Sequence, residues 1–193
     1  MIYFRCDVSK AIGWGNLKRC LVLAESLNKF TSTCFLMPEP NDQVIQEVEK
    51  RKSTIHAFPE GLTYRNEINY YPRDCKNLIV DLGYRQNLEC PENFLEYLHD
   101  LNENNYSTII MDGLDDDSFR DERAPTVKAY IQPYVGVNEN NPPNAEYWLY
   151  GPEYTLLDKI YEGAYRKRSV DRIKNILVTF GGADPQNLSL IHI

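Results

Sequence analysis

At 193 residues with 42% hydrophobic side chains, the chain can bury a core of its own, which excludes a disordered polymer. A formal net charge of −7 argues against nucleic acid or an anionic membrane as the main partner, while leaving room for local basic residues that hold one phosphate. Five scattered cysteines without CxxC spacing point to reduced thiols rather than a disulfide framework or a zinc site.

Ile2 to Cys6 reads as the first strand, and Asp7 follows it. Arg5 and Asp7 within this first apolar run predict that it is no signal peptide, and no stretch approaches the length of a membrane span. We therefore expect a cytoplasmic protein. Gly13 and Gly15 mark a tight turn that brings backbone close to a ligand. Leu17, Cys20, Leu21, Ala24 and Leu27 then recur at helical spacing, and the start of that helix aims unpaired N–H groups back at the turn. Asn16 is expected to cap this helix, to orient a ligand group, or both. Thr33 to Met37 is the second strand, and a short helix carries Val44, Ile45 and Val48. Thr54 to Phe58 is the third strand, and 61–74 reads as loop.

Asn77 to Leu82 is a buried strand, 92–102 a helix and Thr108 to Asp112 another buried strand. Ala129 to Gln132 reads as a short strand, 136–146 as an Asn/Pro loop, and Glu153 to Arg168 as a helix. Ile176 to Phe180 is a strand that runs into Gly181 and Gly182. The alternation predicts an α/β, Rossmann-like domain with a mainly parallel sheet. Asp7, Asp81 and Asp112 stand at or near strand carboxyl ends, where open parallel sheets bind ligands. Such acids also cap helices or tie loops. His56 and His99 are read as structural, and Arg5 and Arg19 as either phosphate partners or members of surface ion pairs.

The segment from Phe4 to Leu27 resembles the opening of the PseG/SpsG family. That family runs Arg-x-Asp, then Ile-Gly-x-Gly-His, then an Arg-Cys-Leu helix; here Arg5, Asp7, Ile12, Gly13, Gly15, Arg19, Cys20 and Leu21 fit. Further matches are the strand ending at Asp81, the stretch Tyr150 to Tyr161, and Val178 to Leu188. The resemblance implies the N-terminal half of a MurG-related GT-B fold, with a sugar-side domain over 1–172 and a second, nucleotide-holding domain entered at 173–193. It implies hydrolysis of a UDP-linked amino sugar for nonulosonic (pseudaminic) acid or surface-polysaccharide synthesis, by a monomer without cofactor or metal. Asp7, Asp81 and the Asn16 position would carry catalysis; Arg5, Gly13, Gly15, Arg19, Tyr84, Gly181 and Gly182 would hold substrate.

Two departures bear on that activity. The catalytic histidine of the family falls at Asn16, and an amide has no titratable proton with which to activate water. Asp81-Leu82-Gly83-Tyr84 stands where relatives carry Asp-His-Tyr-Gly. If the chain hydrolyses its ligand, a carboxylate such as Asp7 or Asp81 must serve as base. A glycosyltransferase-like protein and a non-catalytic sugar-nucleotide binder stay open. The final 188–193 reads as translated sequencing adapter, so the second domain is expected to be present only as a stub and the chain to be inactive alone.

Overall fold

The computed structural model describes residues 1–9, 12–82, 91–111, 120 and 122–163. Its centre is a seven-stranded, all-parallel sheet: β1 (Ile2–Cys6), β2 (Thr33–Pro38), β3 (Thr54–Phe58), β4 (Asn77–Asp81), β5 (Ser107–Met111), β6 (Val127–Gln132) and β7 (Ala145–Tyr150). The spatial order is β3-β2-β1-β4-β5-β6-β7. The chain builds outward from β1 in one direction, then returns to β1's other side with β4 and builds the opposite way. This is the expected α/β, Rossmann-like architecture, and its reversal point lies between β1 and β4.

Strand side chains alternate between two apolar layers, as a sheet buried on both faces requires. Phe4, Cys6, Phe35, Met37, Ile79 and Met111 face α1 (Gly15–Leu27) and α2 (Asp42–Lys50), with Phe4 and Phe35 stacked at 5.0 Å. Tyr3, Leu36, Leu78, Val80, Ile110 and Tyr130 face α4 (Pro91–Glu103). The helices present the matching stripes, Leu17, Cys20, Leu21 and Ala24 from α1 and Phe94, Tyr97, Leu98 and Leu101 from α4. Asn41 caps α2 by accepting from the Val44 N–H at 3.0 Å.

Three expectations are corrected. The stretch 61–74 is not all loop: it holds α3 (Tyr64–Glu67) and a 3₁₀ turn at Ile68–Tyr70. Thr63 caps α3, its hydroxyl accepting from the Asn66 N–H. The strand β7 was not expected: its short run Tyr147 to Tyr150 follows directly on the Asn/Pro-rich stretch read as loop. The predicted helix from Glu153 is instead a strap with 3₁₀ turns at Pro152–Tyr154 and Lys159–Tyr161. Gly151 opens it at φ +113°, where a Cβ would meet the Glu153 carboxylate at 2.4 Å. Asp158 interrupts any helix by accepting from the Ile160 N–H with its own side chain, and it reaches Arg51 at 2.6 Å. Residues of the proposed second domain lie outside the described residues.

Cys6, Cys20, Cys34 and Cys75 are all free and buried. Burial pushes the Cys20 and Cys34 thiols up, and the Cys75 thiol up to about 12. Iodoacetamide labelling followed by peptide mapping is expected to modify these four about 100-fold more slowly in the native protein than after unfolding in urea.

Candidate functional site

The turn between β1 and α1 closes on itself. The Gly13 N–H donates to the Ser9 carbonyl at 2.7 Å, the Ile12 N–H donates to the Ser9 hydroxyl at 3.1 Å, and Gly13 takes φ +81°. A side chain is disfavoured in that left-handed region, so Gly13 is required by the turn itself. Gly15 differs. It begins α1, and a Cβ built on it meets nothing within 4 Å. Helix propensity favours alanine there by up to about 1 kcal/mol. Glycine keeps the approach to the first turn of α1 open.

Asn16 does not cap α1. The capping position is Trp14, which makes no side-chain capping bond, and Asn16 lies inside the first turn. Its amide nitrogen donates to the Asp81 carbonyl at 3.1 Å, and its amide oxygen accepts from Arg19 Nη2 at 3.3 Å. Arg19 grips Asp81 with a two-pronged fork, both N–H···O distances being 2.5 Å. The Cys20 thiol donates to the same carboxylate at 3.6 Å. Asp81 is 0% exposed and ends β4 beside Cys6 of β1. The Asn16–Arg19–Asp81 cluster thus ties the start of α1 to the end of β4, across the reversal point of the sheet.

Arg5 and Asp7 serve the other face. The Arg5 side chain is 3% exposed, so it is no surface ion pair. Its Nε and Nη2 donate to Glu67 at 2.7 and 3.0 Å, and Nη1 donates to Asp7 at 2.6 Å. The guanidinium also lies against the rings of Phe58 and Tyr64. Tyr64 donates to the second Asp7 oxygen at 3.3 Å, and Tyr71 donates to Glu67 at 2.9 Å. Burial by itself would lower the Arg5 guanidinium, but Asp7 and Glu67 outweigh it and hold the group charged. Burial pushes the Glu67 carboxyl up, and Arg5 pulls it partway back. Glu67 was not anticipated from the sequence. It lies in the stretch read as loop, where the cap at Thr63 was the available signal.

A cavity of about 580 Å³ opens along α1 between Gly15, Arg19 and the strap, with Met111 and Ile131 at its floor and Tyr134 and Tyr154 at its sides. It places Gly15 and Arg19 together, whereas Asp7 and Asp81 lie outside its lining. His56 and His99 are not at this edge: the His56 ring bonds to the Tyr70 carbonyl at 2.7 Å and the His99 ring to the Arg123 carbonyl at 2.6 Å. Tyr84, Asp112, Gly181 and Gly182 lie outside the described residues. Among the described residues there is no cluster of three or more His, Cys, Asp or Glu placed to hold a metal ion, and no helix long and apolar enough to cross a membrane.

No protein-family model matches the chain, and no solved structure does. Among curated proteins it is similar to an uncharacterized protein of Methanocaldococcus jannaschii, at 24% identity over 197 aligned positions. The alignment covers 95% of this chain and 37% of that protein, so the chain spans little more than a third of that relative's length.

Two variants test this geometry. Arg5→Met strands the buried Glu67 carboxylate and the partly buried Asp7 and is expected to cost about 3–5 kcal/mol in urea unfolding near neutral pH. Burial raises Glu67 in the folded state, so its favourable contribution is complete below the ordinary carboxylate range and is lost as pH rises through the folded value. Removing Arg5 removes the opposing pull and widens that window upward, so the cost is expected to shrink toward pH 4 in the same assay. Gly15→Ala is expected to stabilise the protein by about 0.5–1 kcal/mol.

Proposed function

We propose that the carboxyl edge between β1 and β4 binds a UDP-linked amino sugar, and that the chain is the sugar-side domain of a UDP-sugar hydrolase of the PseG/SpsG type. The observation that carries the reading is Gly15: it sits at the first turn of a helix, at the reversal point of a parallel sheet, in a position where nothing within the described residues needs a glycine. An approaching sugar or phosphate does need one, because unpaired N–H groups of the first turn then reach it directly. The motif resemblance supplies the substrate class and the relation to GT-B enzymes.

Hydrolysis at an anomeric carbon forms a bond from water oxygen to carbon, expels UDP and delivers the water proton to a base. Here the family's histidine is Asn16, whose amide is engaged at both ends, and both oxygens of Asp7 and of Asp81 already accept hydrogen bonds. Those engagements favour a second reading in which the site binds the sugar nucleotide without turning it over.

Saturation-transfer NMR with a UDP-linked 2,4-diacetamido-2,4,6-trideoxyhexose tests both. Transfer to the sugar protons is expected with the wild-type chain and is expected to vanish in Gly15→Leu, whose side chain occupies the open approach. No transfer with either protein counts against a sugar-nucleotide site. With a nucleotide-holding domain joined to this chain, Asn16→His is expected to raise UDP release by about 100-fold or more, the usual contribution of a positioned base. Retained binding without that gain assigns the protein to the non-catalytic reading.

A further inference from the structure

At the opposite, amino edge of the sheet, the turn after α1 and the turn after α2 are clamped together. The Asn28 side chain donates to the Arg51 carbonyl at 3.0 Å, to the Lys52 carbonyl at 3.4 Å and to the Ser53 hydroxyl at 3.1 Å. Thr33 completes the clamp by donating to Asn28 at 2.9 Å. This side-by-side packing brings Lys29 from one turn next to Lys50, Arg51 and Lys52 from the other. They border a shallow concavity of about 520 Å³ whose lining carries five cationic side chains against the carboxylates of Glu25 and Asp158.

Both carboxylates are already taken. Glu25 pairs with Arg51 and, at 3.0 Å, with Lys159; Asp158 pairs with Arg51. Lys29, Lys50 and Lys52 make no ion pair among the described residues, and Glu49 lies outside the lining. In a chain of net charge −7, this is a local positive face against the overall sign. Next to Lys29 in the chain stands Phe30, 87% exposed, a large apolar ring with no packing role.

From this juxtaposition we propose that the face formed by Lys29, Phe30, Lys50 and Lys52 docks the protein on an anionic lipid surface. Phe30 inserts at headgroup level, and the lysines meet lipid phosphates while their stems lie along the interface. A single protruding ring flanked by cations suits a deformable surface. A folded protein partner calls for roughly 800 Å² of complementary contact from each side, with several apolar residues at its centre. Strands of five residues set this edge roughly 17 Å from the carboxyl edge, so docking leaves the sugar-nucleotide site facing solution. The inference does not depend on what that site binds.

Co-sedimentation of the chain with phosphatidylcholine vesicles, with and without about 30 mol% phosphatidylglycerol, tests the proposal. Binding is expected with the anionic vesicles, weakening as salt rises from about 0.05 to 0.3 M. Lys29→Gln, Lys50→Gln and Lys52→Asn are each expected to weaken partitioning about fivefold, and the triple variant about 100-fold. Phe30→Ser, which removes an exposed side chain and leaves the Asn28 clamp intact, is expected to weaken it about tenfold. The proposal is overturned if neutral vesicles bind equally well, if anionic vesicles bind nothing, or if Phe30→Ser and the triple variant both sediment like wild type. Binding of RNA or polyglutamate with no vesicle binding overturns it as well and gives the face to an acidic polymer. Should the triple variant lose its cooperative thermal transition, Phe30→Ser and the three single variants decide.

Discussion

A carboxylate with no exposed surface, neutralised by one guanidinium fork, holds the carboxyl edge of this sheet together. Asp81 ends β4, and the Arg19 that grips it belongs to α1, which leaves β1 on its way to β2. In a sheet whose order reverses at β1, the helices α1 and α4 lie on opposite faces. A crevice is the geometric result. The fork, with Asn16 seated between its two sides, sets how far that crevice opens. The fork also explains why an asparagine suits this position: a short side chain with one donor and one acceptor satisfies the Asp81 carbonyl and Arg19 together.

The second charged cluster shares the same edge but is reached through the other layer. Arg5 is flanked by two carboxylates, two tyrosine hydroxyls and two aromatic rings, nearly all out of water. Such an arrangement contributes little net stability, since desolvation offsets much of the attraction, but it tolerates few alternative geometries. Its effect is to fix Asp7, just past the end of β1, with a defined orientation. Two charged clusters, one on each face of β1, thereby tie this edge together through side chains as well as through its glycine turn.

Much of the fold is legible in the sequence because buried parallel strands are continuous apolar runs. Ile2 to Cys6, Thr33 to Met37 and Asn77 to Leu82 all stand out for that reason, and α1 stands out by its Leu17–Cys20–Leu21–Ala24 stripe. The misses have physical causes. In β7, the run Tyr147 to Tyr150 is only four residues long, none of them fully buried, and it follows an Asn/Pro-rich stretch that reads as loop. In the strap, Leu156, Leu157, Ile160 and Tyr161 fall at helical spacing, but long-range pairs from Asp158 to Arg51 and from Lys159 to Glu25 hold it in another form. Asn16 looks like a cap by residue type, and only the position of the Asp81 carbonyl shows what it bonds. Glu67 is invisible to local reading because its partner lies on a strand far away in sequence.

That last distance has a consequence for how the chain assembles. Arg5 to Glu67 and Arg19 to Asp81 each bridge 62 positions, and β1 cannot be flanked on both sides until β4 has been made. While the chain is being synthesised, β1, β2 and β3 are able to pair early with one edge of β1 open and two arginines lacking their carboxylates. Closing so long a loop costs entropy before any contact repays it, which places the zippering of β4 against β1 among the late, slow steps. The carboxyl edge between β1 and β4 is therefore the last seam of this part of the sheet to close, and the Arg19–Asp81 fork that reaches across it acts as a register check.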